Sequence, residues 1–329
     1  MEMINHRVFV SGGAGFIGSH LVRRLLHENV GAVTIYDNFS SGTARHIEEL
    51  STDARVAVVD ADIKHLGVLT HAMRGHDIVF HLAANPDIAK AVRFPDVDFW
   101  EGTYLTQNIL EAMRLNGVGT IFYTSGSGVY GEVPGQAFAE DFGPCLPIST
   151  YGASKLACEA LISSYCHMFG MRGRAFRFAN VVGPRQTHGV GYDFIRRLGA
   201  DPTRLRILGD GSQCKSYIHV DDVVSAVLLV ARRLEEQSNF DVYNVATDDY
   251  ITVTRIADIC CEVAGLEKDH VRYEYTGGDR GWKGDVPQVL FDVAKIKRLG
   301  WRSQYGSADA MRAAVTSMRR EHGSHMEAV

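Results

Sequence analysis

Apolar runs and stretches of helical spacing alternate along the first 180 residues. Positions 7–11, 33–37, 56–60, 78–84, 119–125 and 173–179 read as strands, with helical patterns from Ser19, across 99–115 and from Tyr151 to Phe169. Such alternation predicts βαβ units, hence a parallel sheet with helices on both faces. Past residue 180 the regularity fails. Gly183-Pro184-Arg185 and Gly209-Asp210-Gly211 are turn chemistry, and a smaller, irregular C-terminal α/β lobe is expected over 181–329. The first domain is expected to span 1–180. The chain returns to it around 218–246, where Asp222 reads as a helix N-cap and Tyr243-Asn244-Val245 as a short strand.

Between the first strand and the first helix the apolar pattern is broken by Gly12-Gly13-Ala14-Gly15-Phe16-Ile17-Gly18. Gly12 permits a turn with positive φ, Gly15 lets a pyrophosphate approach the backbone, and Gly18 lets the helix lie close on the strand. Asp37 ends the second apolar run nineteen residues after Gly18, where an acid accepts the hydroxyls of an adenosine ribose. The fold class is therefore α/β, a Rossmann-type doubly wound parallel sheet with a smaller substrate lobe.

Composition narrows the setting. Of 329 residues, 46 % are hydrophobic and 22 % charged, which is ordinary for a soluble protein with a sizeable core. The net charge of −5 comes without a Lys/Arg block, so nothing proposes a nucleic acid or a membrane surface as partner. No export leader or apolar span of about 20 residues is read, and the six cysteines show no paired spacing, so a cytoplasmic protein is expected. No metal site is expected from the scattered histidines; His81 reads as a hydrogen-bonded core residue and Gly323–Met326 as a frayed tail.

Tyr151 and Lys155 are four residues apart, on one face of their predicted helix. A phenol ionises near pH ~10, and an adjacent ammonium favours its phenolate, which makes Tyr151 a candidate general base. Thr124-Ser125-Gly126-Ser127 supplies hydroxyls at the end of a preceding strand.

Together these pieces resemble the extended short-chain dehydrogenase/reductases, and among them the NAD-dependent nucleotide-sugar epimerases typified by UDP-glucose 4-epimerase. The resemblance rests on Gly12 to Gly18, Asp37-Asn38-Phe39-Ser40-Ser41-Gly42, Asp62-Ile63, His81-Leu82-Ala83-Ala84, Val129-Tyr130-Gly131 and Tyr151 to Lys155. It continues through Arg177 to Arg185, Leu208-Gly209-Asp210-Gly211 and Tyr217 to Asp222, covering nearly the whole chain.

The resemblance implies NAD as cofactor, held by Gly12, Gly15, Phe16, Ile17, Asp37, Asn38, Ser40, Gly42, Asp62, Ile63, Leu82, Ala83, Ala84, Tyr151 and Lys155. Asp37 favours NAD over NADP, because a carboxylate repels a 2′-phosphate. A UDP-sugar is implied as substrate, with Asn180 at its diphosphate, Leu205 to Gly209 bordering the base, Lys215 and Arg280 as phosphate cations and Val289 facing the sugar's C2 substituent. Lys215 offers a point charge where relatives often carry Arg. The reaction implied is C4 epimerisation through a transient 4-keto sugar, with Tyr151 as base and Lys155 lowering the pKa of its phenol.

One position departs from the pattern. The family's usual Ser or Thr three residues before Val129 is Gly126 here, so Ser127, Thr124 or a water replaces it, or Tyr151 takes the proton directly. Dehydration or net oxidoreduction from the same 4-keto intermediate is the catalytic alternative, although 4,6-dehydratases place Asp-Glu where this chain has Ser127-Gly128. A catalytically silent NAD-binding sensor or scaffold is the alternative of another class. A homodimer is expected through the helices near 99–115 and 151–169, whose apolar residues Leu105, Ile109, Met113, Leu156, Leu161, Tyr165 and Met168 lie on more than one face.

Overall fold

The computed structural model describes residues 3–234 and 238–326. The chain forms two compact units. The first draws on residues 1–131, 140–177 and 224–243; the second on 132–139, 178–223 and 244–329.

A seven-stranded sheet organises the first unit, in the spatial order Phe240–Val245, Arg172–Phe178, Thr120–Gly126, Ile78–His81, Arg7–Ser11, Ala32–Asp37 and Val56–Asp60. Arg7–Ser11 runs parallel to both neighbours, with Val8 opposite Val33 on one side and Ile78 on the other. Its burial explains its composition: Val8, Phe9 and Val10 are all fully buried, as strands covered on both faces must be. The order reverses on the two sides of Arg7–Ser11, the doubly wound arrangement that opens a crevice at the strands' carboxyl ends.

Two helices cover one face. Tyr104–Asn116 places Leu105, Ile109 and Met113 in the core beside Ile121 and Tyr123, and Thr150–Phe169 adds Cys158, Ile162 and Cys166 to the same cluster. Leu105, Ile109 and Met113 are thus the core-facing members of the apolar set on these two helices. Leu161 and Tyr165 pack at the edge of that core, and Tyr165 Oη accepts from Gln107 Nε2 at 2.7 Å. Ser149 caps the second helix by accepting from Gly152 N at 3.1 Å, and Gly170 ends it with φ +69°.

The first helix begins at Phe16, three residues before its expected start, because Gly15 is its N-cap and the glycine-rich first turn carries no apolar period. Asp222 is not a cap either. It lies inside the helix Val220–Arg232, and its carboxylate accepts from the backbone of Gln304 (2.9 Å) and Tyr305 (3.3 Å). Positions 323–326 continue the last helix, Ser307–Met326, rather than forming a frayed tail.

Arg174 is a fully buried cation bonded to carbonyls. Its Nη1 donates to Gly173 O at 2.6 Å and to Asn239 O at 3.3 Å, and its Nη2 to Leu234 O at 3.1 Å. The second unit is built on short paired strands, including Asn180–Val182 with Tyr217–His219 and Arg204–Ile207 with Arg272–Tyr275. Helices Val190–Ala200, Val253–Ala264 and Ser307–Met326 pack around them, with Phe194, Ile256 and Met311 in the core. Among the described residues no helix is long and apolar enough to cross a membrane, and no group of three His, Cys, Asp or Glu is placed to hold a metal.

Candidate active site

The glycine turn is closed to any side chain. Gly12 has φ +72°, and a Cβ there would stand 2.7 Å from Ala83 N; one on Gly18 would stand 2.1 Å from the Gly12 carbonyl oxygen. Strand end, turn and helix are therefore in backbone contact, and the N–H groups of the first turn, at Phe16 and Ile17, are unshielded by side chains at Gly12 and Gly15. That is the cradle a pyrophosphate needs.

Asp37 lies beside it. One carboxylate oxygen accepts from Ala14 N (2.9 Å) and the other from Phe39 N (2.9 Å), while burial pushes the carboxyl above its ordinary value. A Cβ on Gly42 would meet both of these oxygens at 3.0 Å, so Gly42 keeps the loop tight against the acid. Asn38 Oδ1 accepts from Ser40 N and Oγ, and Asn38 Nδ2 donates to Asp62 Oδ2 at 3.1 Å, which joins the Asp37 loop to the Asp62-Ile63 pair. Ile63 is buried; Leu82, Ala83 and Ala84 are half-buried at the end of their strand. The structure thus gathers the cofactor candidates of the first unit around one strand-end crevice, and their chemistry fits NAD.

His81 is a fully buried structural link, as expected. Its Nδ1 pairs with Ser11 Oγ at 2.7 Å and its Nε2 with Thr106 Oγ1 at 3.0 Å; burial brings it down to about 3, so it is neutral.

Tyr151 and Lys155 occupy the first two turns of Thr150–Phe169. The buried Lys155 ammonium donates to Thr124 O at 2.7 Å and lies 5.5 Å from the centre of the Tyr151 ring. Burial lowers Lys155 to about 8 and raises Tyr151 to about 12, with Asp98 adding to the latter. Desolvation of the phenolate is the main cause of the upward shift at Tyr151.

The strand Thr120–Gly126 leads into a turn over Ser127–Val129 that packs on this helix: a Cβ on Gly128 would stand 3.3 Å from Gly152 Cα and 3.8 Å from Tyr151 Cδ1. The two hydroxyl candidates differ. Thr124 Oγ1 donates to His81 O at 3.4 Å, whereas Ser127 is half-exposed in the turn beside Tyr151.

In the second unit Lys215 and Arg280 converge on one acid. Lys215 Nζ pairs with Asp285 Oδ1, Gly281 N donates to Asp285 Oδ2 at 3.1 Å, and Arg280 Nη1 donates to Asp285 O at 2.8 Å. Arg280 also forks onto Glu132 at 2.7 and 3.0 Å. Sequence reasoning missed both acids as partners; Glu132 lies 148 positions from Arg280 and carries no local signal. Asn180 is exposed at the start of its short strand. Leu205 is fully buried in the unit's core, so its side chain is packing, and Leu208, 41 % exposed, is the apolar side chain that this stretch presents. Val289 is 5 % exposed.

The profile of the NAD dependent epimerase/dehydratase family matches residues 8–246. The chain belongs to this NAD-dependent epimerase/dehydratase family. Among relatives in it, the UDP-glucose 4-epimerase of Mycolicibacterium smegmatis is 37 % identical over 322 residues, covering 95 % of this chain and 98 % of that one. The crystal structure of Thermus thermophilus UDP-glucose 4-epimerase in complex with NAD matches with a TM-score of 0.82 at 31 % identity, over 95 % of this chain and 99 % of the other. DesIV, a dTDP-glucose 4,6-dehydratase from Streptomyces venezuelae solved with NAD and TYD bound, matches with a TM-score of 0.87 at 28 % identity, over 97 % and 98 %. Both epimerases and dehydratases of the family therefore share this architecture, and the choice between them falls to the side chains.

Proposed function

We propose that this protein interconverts UDP-hexoses by epimerisation at C4 with bound NAD, through a 4-keto sugar. One arrangement carries the reading: Tyr151 and Lys155 lie one helical turn apart against a turn that offers the Ser127 hydroxyl and no carboxylate. A 4,6-dehydratase must also expel the C6 hydroxyl, which calls for an acid, and Ser127-Gly128 stands where relatives of that kind carry Asp-Glu.

Gly12, Gly15, Phe16 and Ile17 would cradle the pyrophosphate of NAD. Asp37, Asn38, Ser40 and Gly42 would hold the adenosine ribose, Asp62 and Ile63 the adenine, with Leu82, Ala83 and Ala84 along the neighbouring strand end. NAD bound in this cradle would supply reversible hydride transfer at the sugar's C4, and its positive ring would favour the phenolate. Tyr151 accepts the proton of the 4-hydroxyl and later gives it back. Lys155 holds the nicotinamide ribose and adds positive charge near the phenol. Ser127 relays the proton between sugar and phenol in place of the residue missing at Gly126; it is preferred to Thr124, whose hydroxyl is directed to the His81 carbonyl. In the second unit Asn180, Lys215 and Arg280 would meet the diphosphate, the backbone of 205–209 the base, and Val289 the sugar near C2.

Six free thiols suit a reducing cytoplasm. We further infer a homodimer, in which Phe99, Trp100, Leu115, Met168 and Phe169, between 45 % and 72 % exposed, would be covered.

The test is incubation of purified protein with a panel of UDP- and dTDP-sugars followed by separation of epimers. Interconversion of UDP-glucose and UDP-galactose without net NADH supports the reading. Accumulation of a 4-keto-6-deoxy sugar would replace it with dehydration.

A further inference from the structure

Two ionisable side chains of the first unit are almost fully buried and have no part in the chemistry above. Glu159 and Arg177 are 4 % and 5 % exposed, and they meet through two bonds, Arg177 Nε to Glu159 Oε1 at 3.0 Å and Nη2 to Oε2 at 2.7 Å. A buried ion pair is a poor source of net stability, because desolvating both charges offsets most of their attraction. Its other contacts suggest a different use.

Ser125 Oγ donates to Glu159 Oε1 at 2.5 Å, and the Arg177 guanidinium lies 4.7 Å over the ring of Tyr130. Arg177 Nη1 also donates to Glu140 O at 3.2 Å. Ser125 and Tyr130 flank Gly126–Val129, so both ends of the Ser127 turn are tied to one ion pair. Tyr151, Lys155 and Glu159 follow one another at four-residue spacing along one helix, so they form one stripe. Lys155 holds the carbonyl of Thr124, and Glu159 holds the next side chain along the strand.

We propose that the Glu159–Arg177 pair is a positioning device for the reaction, setting the turn that bears Ser127 against the helix that bears Tyr151 and Lys155. The inference rests on the reading of Tyr151 as the base. Both side chains are buried and bonded to each other, to Ser125 and to Glu140 O, so the loss of the pair is expected to act on the alignment of the reacting groups more than on binding. A misplacement of about 1 Å in such groups can cost roughly 10²-fold in rate.

The experiment compares Ser125→Ala, Ser125→Thr, Glu159→Gln and Tyr151→Phe as purified, NAD-loaded proteins. Ser125→Ala cuts the link to the strand and leaves the ion pair. The expected result is a kcat lowered about tenfold in Ser125→Ala and about 10²-fold in Glu159→Gln, with KM within about twofold of wild type. Ser125→Thr, which keeps the hydroxyl, restores kcat, and the losses of Ser125→Ala and Glu159→Gln do not multiply when combined. A purely structural role would lower the melting temperature and the yield of loaded protein but leave kcat per loaded chain unchanged, and that outcome overturns the proposal. Should Glu159→Gln not fold, the two Ser125 variants decide alone. If Tyr151→Phe is inactive while Ser125→Ala runs at the wild-type rate, only the positioning role falls. If Tyr151→Phe keeps its rate, the reading of the site falls and this inference with it.

Discussion

Replacing Gly18 by alanine is the sharpest probe of the nucleotide cradle. The substitution favours the helix in isolation, since Gly in a helix interior costs about 0.5–1 kcal/mol relative to Ala. Against that gain, the new methyl would sit 2.1 Å from the Gly12 carbonyl oxygen and 2.8 Å from Gly13 Cα. Both are backbone atoms of the turn, so no rotamer change relieves the overlap and the helix must move away from the strand. Overpacking of this kind costs about 1–3 kcal/mol, which exceeds the propensity gain. The first unit should lose about 2–8 °C in melting temperature. The displaced turn should also retain less NAD, measured by releasing and quantifying cofactor per chain. Gly126→Ser is the matched control: its backbone is extended, with φ −161°, and no atom lies within 4 Å of the added Cβ. It should leave melting and NAD content unchanged and preserve turnover. A Gly18→Ala protein that melts within about 1 °C of wild type with full NAD content would refute the close approach on which the cradle rests.

Tyr151→Phe should lower kcat by roughly 10²–10⁴ with NAD content intact, and retention of more than about a tenth of the rate would remove the phenol as base. Burial brings Lys155 down to about 8 from its ordinary 10.5, so kcat should decline as pH rises through about 8. Over the same window the unfolded chain holds a proton the folded one has lost, so Lys155 makes stability rise with pH. Denaturation midpoints of wild type and Lys155→Met at about pH 7 and about pH 9.5 should therefore differ, with the wild type gaining more on the alkaline side. Val289→Tyr should sharpen discrimination of UDP-glucose over UDP-N-acetylglucosamine, because overlap with a packed wall costs more than unfilled space; equal kcat/KM ratios in the two proteins would mean Val289 does not border the sugar. Sedimentation should give a dimer, and a stable 36.3 kDa monomer at micromolar concentration would refute it.

The parts most legible in the sequence were those whose physics is local. The glycine turn, the Asp37 strand end and the Tyr151–Lys155 spacing each encode backbone geometry within a few residues, and the strands Arg7–Ser11 and Ala32–Asp37 follow their apolar runs. Asp222 misled because an acid near a helix start looks alike whether it caps or binds elsewhere; its partners lie 82 and 83 positions away. Leu205 was readable in principle. Arg204–Ile207 alternates exposed and buried, so the leucine faces inward and its neighbours do not. Glu159 carried a usable signal, its four-residue spacing from Lys155, but a buried acid declares its purpose only once Arg177 and Ser125 are seen around it.

The three-part construction of the first unit bears on how the protein is made. A ribosome delivers the chain from its N-terminus, and domains ordinarily fold as units as they emerge. Here the sheet is not closed until the strand Phe240–Val245 arrives, and the carbonyls of Leu234 and Asn239 that receive the buried Arg174 guanidinium arrive in that same late stretch. By then residues 132–139 and 178–223 of the second unit have already been synthesised. A nascent chain ending near residue 180 would hold the glycine turn, the Tyr151 helix and the arginine strand without those two acceptors, so the seven-stranded sheet is completed only after about three quarters of the protein exists.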